Sequence, residues 1–253
     1  MGARHSYLEH DGPIAFAHRG GTSAAPENTL RAFEHAVGLG YRYVETDVHA
    51  SADGQLLAFH DNNLLRTCGE DINIASTQWS SLKDARIDGT DPIPLLEDLL
   101  GSWPDLRVNI DCKADFALDP LIDTLRRTNS LDRVCIGSFS DKRIAKIRSV
   151  FGTAVCTSMG PAEVARLVLR SHSRIPIRVT PHALCAQVPV KQGPIPVVTS
   201  TTIATAHALG LQVHVWTIDD PLEIGRLLDL GVDGIMTDDT QALKDVYSVR
   251  KIW

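Results

Sequence analysis

Glu45, Asp47 and His49 alternate along the stretch YVETDVHA, and the apolar run that follows it closes on His60 and Asp61. Alternate residues of a strand project to one side, so two acids and an imidazole share a face, which an ordinary half-buried strand does not need. A third carboxylate, Asp111, ends the run RVNID, with Lys113 two residues on, and His18-Arg19 closes the run IAFA. Three carboxylates suit a hard divalent cation, because Mg²⁺ and Ca²⁺ take oxygen ligands. Zinc fits them less well, since no Cys/His ligand spacing accompanies them. His18 and His60 change protonation near neutral pH and could move protons. Arg19 and Lys113 suit an anionic group such as a phosphate. Together these types describe phosphoester cleavage: cations offset charge on the non-bridging oxygens while one histidine takes a proton and the other gives one. A competing reading of the same residues is a structural charge cluster, with Glu45 and Asp47 paired to Arg19 and Lys113. His49 shares the face as a bystander or substrate contact. His214 has the parity of Trp216, which ends another apolar run, and no further assignment.

Positioning these groups requires a frame. Eight short apolar runs read as strands: 14–18, 43–48, 107–112, 134–139, 154–158, 183–188, 211–216 and 234–238. Helical patterns lie between most of them, several opening on Asp, Asn, Ser or Thr and stopping at Gly. Eight βα repeats in 253 residues imply a (β/α)₈ TIM barrel in one domain, residues 1–253. An open doubly wound sheet is the rival, but no G-x-G-x-x-G follows the first strand. Residues 61–93 break the rhythm and read as a loop insertion after strand 2. In a barrel the site lies at the C-terminal ends of the strands, where His18, Arg19, Glu45, Asp47, Asp111, Lys113 and Trp216 all fall.

Composition narrows the function classes. The formal charge is −6, which gives no general attraction to nucleic acid or an anionic membrane surface. No apolar run approaches the roughly 20 residues needed to span a bilayer. The five cysteines are scattered, without C-x-x-C, and read as reduced core residues. The N-terminus lacks the features of a secretory signal, an expectation of a cytoplasmic protein. MGARHS also fits the loose myristoylation pattern.

The stretch AHRGGTSAAPENTLRAFEHAVGLGYRYVETDVHASADGQLLAFHD, residues 17–61, resembles the opening of the glycerophosphodiester phosphodiesterase family. It carries an H-R-G strand end, P-E-N-T opening the first helix, the E-x-D strand, a D-G turn and a closing H-D. The likeness continues through IPLLEDLL, Asp111–Lys113, VWTIDD and GVDGIMTDD. It implies a TIM barrel that hydrolyses glycerophosphodiesters to glycerol 3-phosphate and an alcohol with a divalent ion, Mg²⁺ or Ca²⁺. Glu45, Asp47 and Asp111 would then be the metal ligands and His18 and His60 the acid–base pair. Arg19 and Lys113 would hold phosphate, and Trp216 would wall the substrate site. It further implies attack by the substrate's own glycerol hydroxyl, giving a cyclic phosphate that water then opens. Three positions depart from the family pattern: Asp111 replaces glutamate, Asp219 stands where Asn is common, and TDDT at 237–240 replaces T-D-x-P. The Asp-x-Lys pairing is similar to sphingomyelinase D and phospholipase D toxins, so a phospholipase D-type hydrolase of lysophospholipids or sphingomyelin is the second reading. That activity needs an apolar surface near the mouth, for which 61–93 offers Leu64, Leu65, Ile72, Ile74 and Trp79. A non-catalytic barrel that binds phosphorylated ligands is the third. The expected partner is a small phosphodiester, with neither nucleic acid nor stable membrane insertion, in a monomer or homodimer.

Overall fold

A computed structural model describes residues 5–173 and 182–253; the start of the MGARHS pattern, residues 1–4, lies outside the described residues. The eight expected strands form; the second is longer than its apolar run, the third matches it, and the other six are shorter. They are β1 (Ile14–Ala17), β2 (Tyr43–Ala50), β3 (Arg107–Cys112), β4 (Val134–Gly137), β5 (Cys156–Thr157), β6 (Cys185–Val188), β7 (Gln212–Val215) and β8 (Gly234–Thr237). Helices α1 (Leu30–Leu39), α2 (Leu96–Ser102), α3 (Leu118–Arg127), α4 (Asp141–Phe151), α5 (Pro161–His172), α6 (Ser200–Ala208), α7 (Pro221–Leu230) and α8 (Thr240–Val249) follow them in turn. The sequence sets their ends locally. Thr29 accepts the Ala32 N–H ahead of α1, and Gly40 closes that helix at φ 100°. Asp220 caps α7 ahead of Pro221, and Gly231 ends it at φ 93°.

All eight strands run parallel, in the order β5-β4-β3-β2-β1-β8-β7-β6. This is a nearly closed TIM barrel. The ladder stops between β5 and β6, where the single bridge Ser158↔Cys185 makes the seam. One apolar cluster packs the helices against the outside of the sheet. A second gathers Tyr7, Ile14, Phe16, Tyr43, Met236 and three cysteines, mostly residues that begin strands, and so marks the N-terminal end of the barrel.

The insertion differs from the expected loop. Leu56–Ala58 turns back antiparallel on β2, and the chain beyond it makes two four-residue helices (Leu65–Cys68 and Trp79–Leu82) and a short hairpin at 86–92. These bury a core of their own around Leu57, Leu64, Ile74, Leu82 and Ile87. Elements this short carry too few turns to show a helical period in sequence. No helix among the described residues is long and apolar enough to cross a membrane.

Candidate active site

β1 ends in a tight turn, His18–Gly20, in which Arg19 takes φ 52° and Gly20 and Gly21 take φ 84°. The turn needs glycine at 21: a Cβ there would lie 2.5 Å from Thr240 Cγ2. It aims the start of the H-R-G run at β2. The Arg19 N–H donates to Glu45 Oε2 at 3.1 Å, and His18 Nε2 lies 3.7 Å from the same oxygen. His18 Nδ1 contacts Asp238 Oδ1, just past β8, at 2.8 Å. Burial works against the imidazolium, but Glu45 and Asp238 outweigh it and raise the His18 pKa.

β2 is buried along its whole length, and its register sets Asp47 beside Asp111 of β3, with Glu45 two residues before. Lys113 Nζ bridges this pair, 2.8 Å from Asp47 Oδ1 and 2.7 Å from Asp111 Oδ2. Arg19 Nε reaches Asp47 Oδ2 at 3.0 Å. Asp47 therefore stays charged: burial opposes ionisation, and Lys113 and Arg19 overcome it, so its pKa falls. Its neighbours are held otherwise. Burial and the nearby Asp47 push Glu45 up to about 8. Burial also raises Asp111, whose Oδ1 is buried without a partner. The charge cluster read from the sequence as a rival thus exists, yet it is short of positive charge on the Glu45 and Asp111 side. A hard cation fits that donor set, in which an unpaired carboxylate oxygen and a carboxyl near neutral pKa face the same mouth. Among the described residues, three ligand atoms within 4.8 Å of one another occur at a cysteine cluster and not at these acids, between which Lys113 Nζ sits.

His60 follows the returning strand, where the Phe59 N–H donates to the Asp47 carbonyl at 2.9 Å. Its Nδ1 lies 2.6 Å from Asp61 Oδ1. Asp61 Oδ2 accepts from Arg66 Nε at 2.6 Å, Arg66 Nη2 donates to Glu27 Oε1 at 2.6 Å, and Arg19 Nη1 donates to that oxygen at 3.0 Å. An ion-pair chain from the insertion thus ties His60 back to Arg19. His49 donates from Nε2 to the His60 carbonyl.

Trp216 stands apart from the acids. Its ring meets Phe139 edge to face at 5.8 Å, and Lys113 Nζ lies 5.5 Å over Phe139. The structure therefore brings His18, Arg19, Glu45, Asp47, Asp111 and Lys113 into one contact network, joins His60 through ion pairs, and reaches Trp216 across Phe139. Sequence reasoning left Glu27, Asn28, Arg66, Phe139, Asp219 and Asp238 without a role. Asn28, at φ 57° and 1% exposed, accepts from Thr46 Oγ1 at 2.8 Å and places its amide 3.4 Å from Asp47 Oδ2. Asp219 accepts from Thr237 Oγ1 and the Asp238 N–H at 2.9 and 2.8 Å, fixing the loop that presents Asp238. The P-E-N-T stretch was the available signal for Glu27 and Asn28, and the T-D pair of GVDGIMTDD for Asp238; Arg66 carried none.

Comparison with known proteins bears on this arrangement. Residues 18–242 match the model of the glycerophosphoryl diester phosphodiesterase family. A probable glycerophosphodiester phosphodiesterase 2 of Mycobacterium tuberculosis is 40% identical over 98% of this chain and 95% of its own. A lysophospholipase D of Mus musculus is 27% identical over 90% of this chain and 84% of its own. Among solved structures, an Oleispira antarctica phosphodiesterase in complex with the product sn-glycerol 3-phosphate superposes with a TM-score of 0.78 at 21% identity, covering 94% and 97% of the two chains. A putative glycerophosphoryl diester phosphodiesterase from Silicibacter pomeroyi gives 0.80 at 20% identity over 100% and 99%. With 225 of its residues inside the family model, from His18 onward, and a 40% identical relative along nearly its full length, the chain belongs to the glycerophosphoryl diester phosphodiesterase family and is an enzyme of that class.

Proposed function

We propose that the mouth hydrolyses glycerophosphodiesters to glycerol 3-phosphate and an alcohol, with His18 and His60 as the proton-transfer pair. The observation that carries this reading is that each imidazole has a carboxylate on Nδ1, Asp238 for His18 and Asp61 for His60. That contact fixes each ring through Nδ1, so Nε2, which in His18 lies 3.7 Å from Glu45 Oε2, is the nitrogen for proton transfer. His18, whose pKa is raised, is suited to give a proton to the leaving alcohol oxygen, and His60 to take one from the attacking hydroxyl. A hydroxyl of the substrate's own glycerol serves as nucleophile, which makes the first step intramolecular. Arg19 and Lys113 offset phosphoryl charge, and their bonds to Asp47 hold them in the mouth beforehand. Glu45, Asp47 and Asp111 would hold a divalent cation of the Mg²⁺ or Ca²⁺ class, which when bound neutralises charge on the non-bridging oxygens. Purified protein offered glycerophosphocholine with either ion, with and without EDTA, tests the reading. Release of glycerol 3-phosphate that EDTA abolishes supports it, and no release under any divalent ion defeats it.

A second substrate class draws support from one observation. Of the apolar residues expected to line the mouth from the insertion, Leu64 and Ile74 are buried in its own core, Ile72 and Trp79 partly so, and Leu65 is 53% exposed. A further apolar surface lies after β3 and β4, where Phe116 and Phe139 are 51% and 65% exposed, the latter against Trp216. Such a ledge favours a substrate whose glycerol bears an apolar acyl chain, as in a lysophospholipid. Phe139→Ser should then reduce turnover of lysophosphatidylcholine far more than that of glycerophosphocholine. Equal losses on both would remove this reading.

A further inference from the structure

The barrel's other end holds a group that phosphodiester chemistry does not use. Cys135 of β4, Cys156 of β5 and Cys185 of β6 are each 0% exposed, and their three sulfurs lie within 4.8 Å of one another. Cys135 and Cys185 are separated by 3.8 Å, Sγ to Sγ. Sulfurs bound to one tetrahedral zinc at about 2.3 Å stand at a similar separation, roughly 3.8 Å. The register explains the convergence. Cys135 and Cys156 are direct partners on adjacent strands, and Cys185 forms, with Ser158, the one β-bridge between β5 and β6 among the described residues. The thiols therefore sit at the barrel's seam, where the ladder is weakest.

Two neighbours distinguish this cluster from three small apolar residues. His214 of β7, also 0% exposed, lies against Cys185, and hydrogen bonds from the Cys135 and Cys156 thiols, helped by His214, draw the Cys185 thiol well down. Burial pushes Cys135 the other way. Tyr7 packs in the same cluster, and its hydroxyl is buried with no hydrogen-bond partner. An unpaired buried hydroxyl costs free energy, and a metal-bound thiolate beside it would supply the acceptor. His214 Nε2 lies 3.0 Å from Gln212 Oε1 and its Nδ1 3.5 Å from Gln187 Nε2, and neither nitrogen is within 4.8 Å of all three sulfurs, so ligation takes a shift of the ring toward them that gives up the longer contact.

We propose that Cys135, Cys156, Cys185 and His214 form a closed Cys₃His site for a zinc-class cation that clamps the barrel seam. Binding breaks three S–H bonds, releases the protons to solvent and forms three metal–thiolate bonds, with neutral His214 as fourth ligand. The closed set leaves no position for substrate, so the ion is structural. It is also distinct from the hard-cation chemistry of the acidic mouth, which is built on the opposite ends of the strands.

The test uses the full chain, refolded from guanidinium with Zn²⁺ or Co²⁺ and dialysed against excess Mg²⁺ to occupy carboxylate sites. About one zinc per chain, an intense near-ultraviolet thiolate-to-cobalt band, and loss of both in Cys156→Ser and Cys185→Ser are expected. Melting should fall by several degrees when zinc is stripped from the wild type. Should the variants fail to fold, the wild-type cobalt spectrum decides alone. Less than about a tenth of a zinc per chain with no thiolate band overturns the site. So does a band that survives in both variants.

Discussion

His49 Nε2 donates to the carbonyl oxygen of His60 across 3.0 Å. The third member of the Glu45-Asp47-His49 face thus holds the backbone of the segment that presents the second imidazole. Burial lowers the His49 pKa, which keeps the ring neutral as the bond to a carbonyl allows. His49→Ala should lower kcat about tenfold or more through misplacement of His60, with a small change in KM, while His49→Gln, which retains a donor, recovers part of the loss. Steady-state kinetics on glycerophosphocholine check this; an unchanged kcat in the alanine variant contradicts it.

Asp238 acts on the other imidazole. The His18 pKa is raised because Glu45 and Asp238 outweigh the penalty of burial. Stability from a raised histidine is present below the ordinary imidazole range and lost as pH rises through the folded value. Asp238→Asn removes one of the two carboxylates, so the limb of the kcat/KM profile set by His18 should move to lower pH. A pH–rate series on both proteins measures it, and a limb that stays in place would show that Asp238 does not tune His18.

Glu45, although a carboxyl, runs in the same sense as His18. Burial and Asp47 raise it to about 8, so the folded state holds a proton that the unfolded chain releases near 4.5. Its contribution to stability is complete below that lower value and is lost as pH rises through about 8. Glu45→Gln mimics the protonated form. In EDTA it should match wild type near pH 4 and exceed it by roughly 4 kcal/mol near pH 8. Denaturant titrations at the two pH values decide, and an equal difference at both would refute the assignment.

Lys113 is the present counter-charge to Asp47 and Asp111. Lys113→Met leaves two buried carboxylates facing each other with Arg19 alone, and should cost about 2–3 kcal/mol in EDTA. Mg²⁺ or Ca²⁺ should restore more stability to this variant than to wild type, because the ion enters a site with one less competing cation. Melting curves with and without the ion report the difference. Equal stabilisation of both proteins counts against these carboxylates as ligands.

Much of this was legible in the sequence for a definite reason. Period-2 alternation put Glu45 and Asp47 on one face, and parallel register then placed Asp111 beside Asp47. The eight strands were readable because a buried parallel strand is a short apolar run between capped helices. The rest depended on tertiary placement. Arg66 and Glu27 lie 39 positions apart, and His18 and Asp238 lie 220 apart, so neither pairing has a local period or spacing. Phe139 lies just beyond β4 and read as part of that strand, whereas its 65% exposure at the mouth follows from the strand ending at Gly137. The cysteines looked scattered because strands β4, β5 and β6 bring them together only when the barrel closes.

The central claim is that His18 and His60 move the protons in glycerophosphodiester cleavage. Glycerol 3-phosphate release from glycerophosphocholine, followed for the wild type, His18→Ala and His60→Ala at saturating Mg²⁺ or Ca²⁺, tests it most directly. Each substitution should slow release by about 10²–10⁴-fold while leaving the melting temperature near that of the wild type. Near-full rates in either well-folded variant would contradict the assignment.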